Sequence, residues 1–212
     1  RDKDGKIIRD NDGVMVKVPG SLKHVKAVGW FLDEYNVAQV SMNLINYKET
    51  PVHKVFEEVR FQAQKRGLRV TGSELVGLIP LDSLINAGKY YLKQQNKSYG
   101  VSDSQLIHIA VKSMGLDEMY EFKSNEKIID YMIDDTEKLI NKTISNFVDE
   151  VASDSPAPGG GSISALAGSL SVSLTSMVAN LSYDKKQFKD KKTINDIACK
   201  SQELKNEFLV LI

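Results

Sequence analysis

The sequence predicts an α+β chain: a small β-sheet subdomain with packed helices, followed by an all-α helical bundle that is incomplete. Three observations predict it. Alternating, β-branched runs are confined to about the first 80 residues, and from Leu81 onward apolar residues recur at helical spacing. The Pro- and Gly-rich string Ser153-Asp154-Ser155-Pro156-Ala157-Pro158-Gly159-Gly160-Gly161-Ser162 then opens a long uncharged run rich in Ser, Ala and Gly.

In order along the chain, residues 1–20 are charged, with turn signals at Asp4-Gly5, Asp12-Gly13 and Pro19-Gly20 around Val14-Met15-Val16, and read as a hairpin or loose insertion. Residues 25–31 and 37–47 read as two antiparallel strands across the polar turn Asp33-Glu34-Tyr35-Asn36. Thr50-Pro51 signals a helix start, with Thr50 as cap; Val52, Val55, Phe56, Val59 and Ala63 form one apolar stripe that stops at Gly67. Residues 68–78 return to strand character. Helices follow at about 81–95, 102–114 and 125–133, then a longer one from Asp135 to about Ala152. Domains are drawn at 1–133 and 134–212.

Composition narrows the function classes. The 212 residues allow one large domain or two small ones, and 28 basic against 28 acidic residues leave no net pull toward nucleic acid or an anionic membrane. Cys199 is the single cysteine, which excludes an internal disulfide framework or a cysteine-based zinc site and suits a reducing, cytoplasmic setting. No signal peptide opens the chain, and Ile212 falls inside an apolar helical pattern, so a fragment is expected. No charge occurs between Asp154 and Asp184, long enough for a membrane span. Ser162, Ser164, Ser169, Ser171, Ser173, Thr175, Ser176, Asn180 and Ser182 interrupt that run, which favours a buried bundle helix, with Gly161, Ala165, Ser169 and Ser173 four apart on one close-packing face.

Several residues could carry chemistry. Pro156 and Pro158 stop the preceding helix, Gly159, Gly160 and Gly161 free the backbone, and Ser162 can cap the next helix. The bare amides of such a helix start favour an anion, so the turn is a candidate cradle for a carboxylate or phosphate. Ser73 and Glu74 interrupt a strand-like run beside Gly72, as at a bulge or at a close approach to a ligand. Gln39, Ser41 and Asn43 alternate and share a face, able to bind heterocyclic nitrogens if that face is covered and merely polar if it meets water. Lys185, Lys186, Lys189, Lys191 and Lys192 form the densest basic cluster, either a solvated loop or a track for a polyanion. His24, His53 and His108 lie far apart with no metal-ligand spacing. His53, in a helix's first turn, is expected to be neutral. Glu57 and Glu58, being adjacent, point to different faces.

The strings Gly29-Trp30-Phe31-Leu32-Asp33-Glu34, Ala38-Gln39-Val40-Ser41-Met42-Asn43-Leu44 and Thr71-Gly72-Ser73-Glu74-Leu75-Val76-Gly77-Leu78-Ile79-Pro80-Leu81 resemble the C-terminal subdomain of glutamate formimidoyltransferase. Ser155-Pro156-Ala157-Pro158-Gly159-Gly160-Gly161-Ser162, with Met177-Val178 downstream, resembles the opening of formimidoyltetrahydrofolate cyclodeaminase. Together they resemble the bifunctional formimidoyltransferase-cyclodeaminase family. That resemblance implies formimino transfer from N-formiminoglutamate to tetrahydrofolate, then cyclodeamination to 5,10-methenyltetrahydrofolate with loss of ammonia, as in histidine breakdown. It implies folate, possibly polyglutamylated, as cosubstrate, with no metal, no nucleic acid, no membrane span, and a homo-oligomer when complete. A glutamyl tail would give the Lys185 and Lys186 cluster and the glycine turn an anion to hold.

The resemblance also implies that no catalytic residue lies here. The family's transferase base is a histidine of an N-terminal subdomain, expected before Arg1, so His24, His53 and His108 do not inherit its role. The cyclodeaminase's acidic group is expected after Ile212. Two alternatives accompany this reading: a methenyltetrahydrofolate cyclohydrolase-like helical domain, which shares the Pro-Gly-Gly-Gly-Ser segment, and a non-catalytic oligomerising scaffold.

Overall fold

In the computed structural model, which describes residues 6–16, 20–133 and 139–212, the chain divides into two units, Arg1–Thr50 and Pro51–Ile212, each taken here by itself. The turns expected at Asp4-Gly5 and Pro19-Gly20, the boundary at 133/134 and the helix start at Asp135 lie wholly or partly outside the described residues.

Asp10 shapes the first turn. Its Oδ1 accepts from the amides of Asp12 (3.1 Å) and Val14 (2.9 Å), Gly13 takes φ +78°, and Arg9 pairs with Met15. Strands β1 (Val25–Leu32) and β2 (Val37–Leu44) then form an antiparallel hairpin, closed by a turn in which Asn36 adopts φ 52°. Strand β2 stops at Leu44, short of the expected Tyr47, because the Asn46 carboxamide folds the chain by accepting from the Lys48 and Glu49 amides. The register sets Lys26, Val28 and Trp30 on one face with Asn43, Ser41 and Gln39; Ala27, Gly29 and Phe31 share the other with Met42, Val40 and Ala38.

The second unit begins with α1 (Val52–Gln64), whose start differs from expectation. Pro51 is the N-cap, and the Thr50 hydroxyl donates to the Lys23 carbonyl (2.7 Å) instead of capping. The helix ends at Gly67 (φ +72°) with the Leu68 amide donating to the Ala63 carbonyl, a Schellman-type closure only glycine enters cheaply. Helices α2 (Leu81–Gln94) and α3 (Asp103–Met114) make the core. Ser102 and Gln105 form a capping box at the start of α3, and Gly115 in the left-handed region ends it. The two helices touch at Gly88, where an added Cβ would collide with the Leu106 backbone. Around that contact lie Leu84, Ala87, Tyr91, Ile107, Ala110, Val111 and Met114, all buried.

Residues 68–78 do not form the expected strand. Gly72 packs against Gly115 and Glu118, the Ser73 amide and hydroxyl donate to the Gly115 and Met114 carbonyls (3.0 and 2.7 Å), and Gly77 turns the chain at φ +83°. The segment's donors thus satisfy the end of α3 rather than a ladder. Only Ile79 pairs as a strand would, with Ile128. That bridge also divides the helix expected at 125–133 into α4 (Ser124–Lys127) and α5 (Ile129–Ile133), since Ile128 is fully buried in extended backbone between them.

The helix expected over 135–152 is likewise interrupted among its described residues: a 3₁₀ turn at Leu139–Asn141 precedes α6 (Ile144–Val151), whose start Thr143 caps by accepting from the Asn146 amide (3.2 Å). Helices α7 (Gly160–Tyr183) and α8 (Lys191–Val210) pack as an antiparallel hairpin. Their seam buries Ala165, Ser169, Ser176 and Ala179 against Asn195, Ala198 and Ser201. It advances by four, seven and three residues rather than by strict fours, so Gly161 is left exposed. Ser164, Ser171, Ser173 and Thr175 return their hydroxyl protons to carbonyls four residues back. By length and composition α7 would suit a membrane span, and outside the seam Leu170, Leu174, Met177, Val178 and Leu181 are exposed.

Helix α1 meets α2 through His53, stacked on Tyr90 at 4.4 Å and 21°. Its Nδ1 is buried without a partner, and burial pushes the imidazole below its ordinary 6.5, with Glu57 opposing. One helical turn on, Glu57 accepts from the Tyr91 hydroxyl (3.0 Å) and from Arg60 through both oxygens.

Two outcomes are expected. Gly88→Ala forces a methyl into the Leu106 backbone and is expected to cost about 1–3 kcal/mol in chemical denaturation, against well under 1 kcal/mol for an exposed helical glycine. His53 binds its proton less readily folded than unfolded, so its stabilisation is full above 6.5 and lost as pH falls below that value. Urea midpoints at about pH 7.5 and pH 5.5 are therefore expected to differ less in His53→Phe than in the parent.

Candidate functional site

The candidate residues fall into three groups. On the first unit, Gln39 and Asn43 project from the same hairpin face, as alternation requires, and the register adds two neighbours that spacing alone did not supply. Trp30 lies directly across from Gln39, and Lys26 across from Asn43. Trp30 is 43 % exposed, and Gln39 and Ser41 are half-buried. The face offers an indole edge or plane for stacking, carboxamide and hydroxyl groups that both donate and accept, and one cation. A flat, nitrogen-rich heterocycle carrying a carboxylate has the matching chemistry.

The second group, at the start of α7, has open space. Gly159 is the N-cap in extended conformation, and nothing lies within 4 Å of where a Cβ would stand on Gly160 or Gly161. Packing does not demand these glycines. Ser162 departs from expectation: it sits inside the helix and its hydroxyl donates to the Ile212 carbonyl (3.0 Å), so it does not cap. The first-turn amides have no carbonyl four residues back within the helix.

At the opposite end of α7 lies the third group. Acidic residues there are already engaged: Asp184 pairs with Lys97 (2.9 Å), and Asp190 caps α8 by accepting from the Thr193 amide, a bond that lowers its carboxyl pKa. Lys191 turns back onto the Tyr183 and Lys185 carbonyls. Lys185, Lys186, Lys189 and Lys192 remain exposed, a local positive excess. A helix of 24 residues is about 36 Å long, so the glycine turn and the lysine loop lie too far apart to form one site.

Ser73 and Glu74 part company. Ser73 spends both donors on the end of α3, while Glu74 is exposed. Among the histidines, His24 pairs with Glu49 (2.9 Å), His53 stacks on Tyr90, and His108 lines a cavity of about 310 Å³ with Leu92, Val101, Ser104, Gln105 and Ile109. Among the described residues no three His, Cys, Asp or Glu side chains gather as metal ligands. Burial raises the pKa of the Cys199 thiol, which favours its protonated form.

One polar cluster had no signal in the sequence. The loop between α2 and α3, residues 95–102, enters the α7–α8 seam. Ser98 donates to Asn180 Oδ1 (2.7 Å), the Tyr99 amide donates to Asn195 Oδ1 (3.0 Å), and the Gly100 carbonyl accepts from Asn180 Nδ2 (2.8 Å). Gln202 donates to Ser176 Oγ (2.9 Å) beneath them. The loop's partners lie 80 to 96 residues away, beyond any local pattern.

Comparison with known proteins divides the chain in the same order. Residues 4–134 match the family model described as "Formiminotransferase domain", and residues 143–212 match "Formiminotransferase-cyclodeaminase". A formimidoyltransferase-cyclodeaminase of Dictyostelium discoideum is 42% identical over 174 residues, 80% of this chain and 32% of the relative. A glutamate formimidoyltransferase of Streptococcus pyogenes serotype M1 is 39% identical over 80 residues, 38% of the chain and 27% of the relative. A methenyltetrahydrofolate cyclohydrolase of Methylorubrum extorquens is 46% identical over 48 residues, 23% of each. The chain spans about a third of the length of the bifunctional relative it matches. With the first of these models covering more than half of its residues and the second following directly, the chain belongs to the formiminotransferase-cyclodeaminase family.

Proposed function

We propose that this chain is part of a bifunctional folate enzyme that moves a formimino group from N-formiminoglutamate to N5 of tetrahydrofolate. The same enzyme then closes the ring to 5,10-methenyltetrahydrofolate with release of ammonia. The observation that carries the reading is the presence of both family models on one chain, transferase first. Domains divided at 133/134, a cytoplasmic location, a homo-oligomeric complete enzyme and α7 as a bundle helix rather than a membrane span belong to the same proposal.

This stretch supplies binding rather than proton transfer. The pterin lies on the Trp30, Gln39 and Asn43 face, where stacking and paired amide contacts suit its ring nitrogens. The Gly159, Gly160 and Gly161 turn holds a carboxylate at the start of α7. Lys185 and Lys186, with Lys189 and Lys192, hold the glutamyl tail electrostatically. Glu74 stays a contact candidate through its exposed carboxylate, and Ser73 does not, its donors being engaged. None of the three histidines is assigned as general base, since His24 is tied to Glu49 and His53 is stacked and half-buried. A cyclohydrolase-like activity of the helical part is the second reading, favoured by the 48-residue similarity to such an enzyme.

In the full-length protein, N-formiminoglutamate and tetrahydrofolate are expected to yield methenyl product and ammonia in equal amounts. Release of glutamate with formiminotetrahydrofolate as the end product and no ammonia would sink the cyclodeaminase half of the reading. Changing Lys185, Lys186, Lys189 and Lys192 together to Gln is expected to weaken binding of a polyglutamylated folate by roughly tenfold at low salt, with the monoglutamate nearly unaffected. Lys191 is left intact because its ammonium donates to the carbonyl that ends α7. Equal affinities for both ligands in parent and variant would remove the tail site.

A further inference from the structure

The loop of residues 95–102 belongs to the part matching the transferase family, yet its polar atoms are satisfied by the part matching the cyclodeaminase family. Ser98 is 8% exposed, Asn195 5% and Ser176 2%, so this is an interior rather than a surface contact. Backbone fit is equally close. A Cβ on Gly100 would stand 2.5 Å from the Ala198 Cβ and from the Cys199 amide nitrogen, so no side chain is accommodated there. Asn180 is the centre of the arrangement. Its Oδ1 accepts from Ser98, while its Nδ2 donates to the Gly100 carbonyl and to Ser176 Oγ (3.3 Å). Only a carboxamide offers both an acceptor and two donors in that plane.

From this we propose that Asn180 and Asn195 are positioning residues that latch the α2–α3 loop onto the α7–α8 helices. They hold residues 95–102, which fall in the first family match, fixed against the helices of the second. The inference rests on the bifunctional reading for its catalytic consequence and on the geometry alone for the latch itself. A buried latch differs in kind from the exposed Lys97 and Asp184 pair beside it, which water screens. Removing the Asn180 amide leaves the Gly100 carbonyl with only the longer bond from Ser176 Oγ (3.4 Å) and the Ser98 hydroxyl with only the longer bond to Asn195 (3.3 Å), so the loop is expected to loosen.

The test uses the full-length protein carrying Asn180→Leu, and separately the milder Asn195→Ala in case the first fails to fold. Two readouts are taken on each: amide hydrogen exchange of residues 98–101, and free formiminotetrahydrofolate appearing during turnover of both substrates. Exchange at Tyr99, whose amide donates to Asn195, is expected to rise on the order of tenfold or more. Free intermediate is expected to accumulate severalfold while each step, assayed alone with its own substrate, keeps its rate. Unchanged exchange in both variants overturns the latch. Raised exchange with no added release of intermediate overturns its role in positioning. A parent enzyme inactive in either single step overturns the bifunctional reading instead, and the exchange readout then still decides the latch.

Discussion

The crossing of α2 and α3 at Gly88 is the constraint on which the rest of the second unit depends. Because the Leu106 backbone sits where a Cβ would be, the two helices approach at backbone distance, and the side chains above and below interlock as one core. Each end of the pair then serves a different neighbour. At one end, the last carbonyls of α3 receive Ser73, and the Leu81 amide that opens α2 donates to Asp130 (2.7 Å). At the other, residues 95–102 reach into the α7–α8 seam. A shift at the crossing would move both ends together.

The seam works by a different chemistry. Its residues are small and polar, so close approach and hydrogen bonds do there what bulky apolar side chains do around Gly88. Buried hydroxyls and carboxamides need partners, and the α2–α3 loop provides them. Where α7 points away from the seam, its hydroxyl groups bond to their own helix and its leucines are exposed. The proposed binding residues lie on one hairpin face of the first unit and, in the second, at one helix start and one basic loop.

Helices were legible wherever one residue type encodes the boundary. Gly67 announced the stop of α1, and helical spacing at 102–114 announced α3, whose limits the Ser102–Gln105 capping box and Gly115 set in the structure. The misreadings share one cause, a local signal answered by a distant partner. Thr50 and Ser162 are good caps by type, but Lys23 and Ile212 carbonyls took their hydroxyls. Residues 68–78 carry strand composition, but the end of α3 took their donors. Ile128 sits in helical spacing and was drawn into a bridge with Ile79. For the site, alternation placed Gln39 and Asn43 on one face, whereas Trp30 joined them only through the strand register. Asn180 could not be read at all, because its partners at Ser98 and Gly100 lie some eighty positions away.

The central claim is that this stretch binds reduced folate through the polar hairpin face and the basic loop and leaves proton transfer to other residues. The most direct measurement is the position of a bound polyglutamylated tetrahydrofolate in an experimental map of the full-length protein. The account predicts pterin density against Trp30, Gln39 and Asn43 on the first unit and, as a separate observation, glutamyl density beside Lys185 and Lys186 on the second. A pterin seated on the Phe31, Val40 and Met42 face, or a ligand stacked on His53 in place of Tyr90, would contradict it.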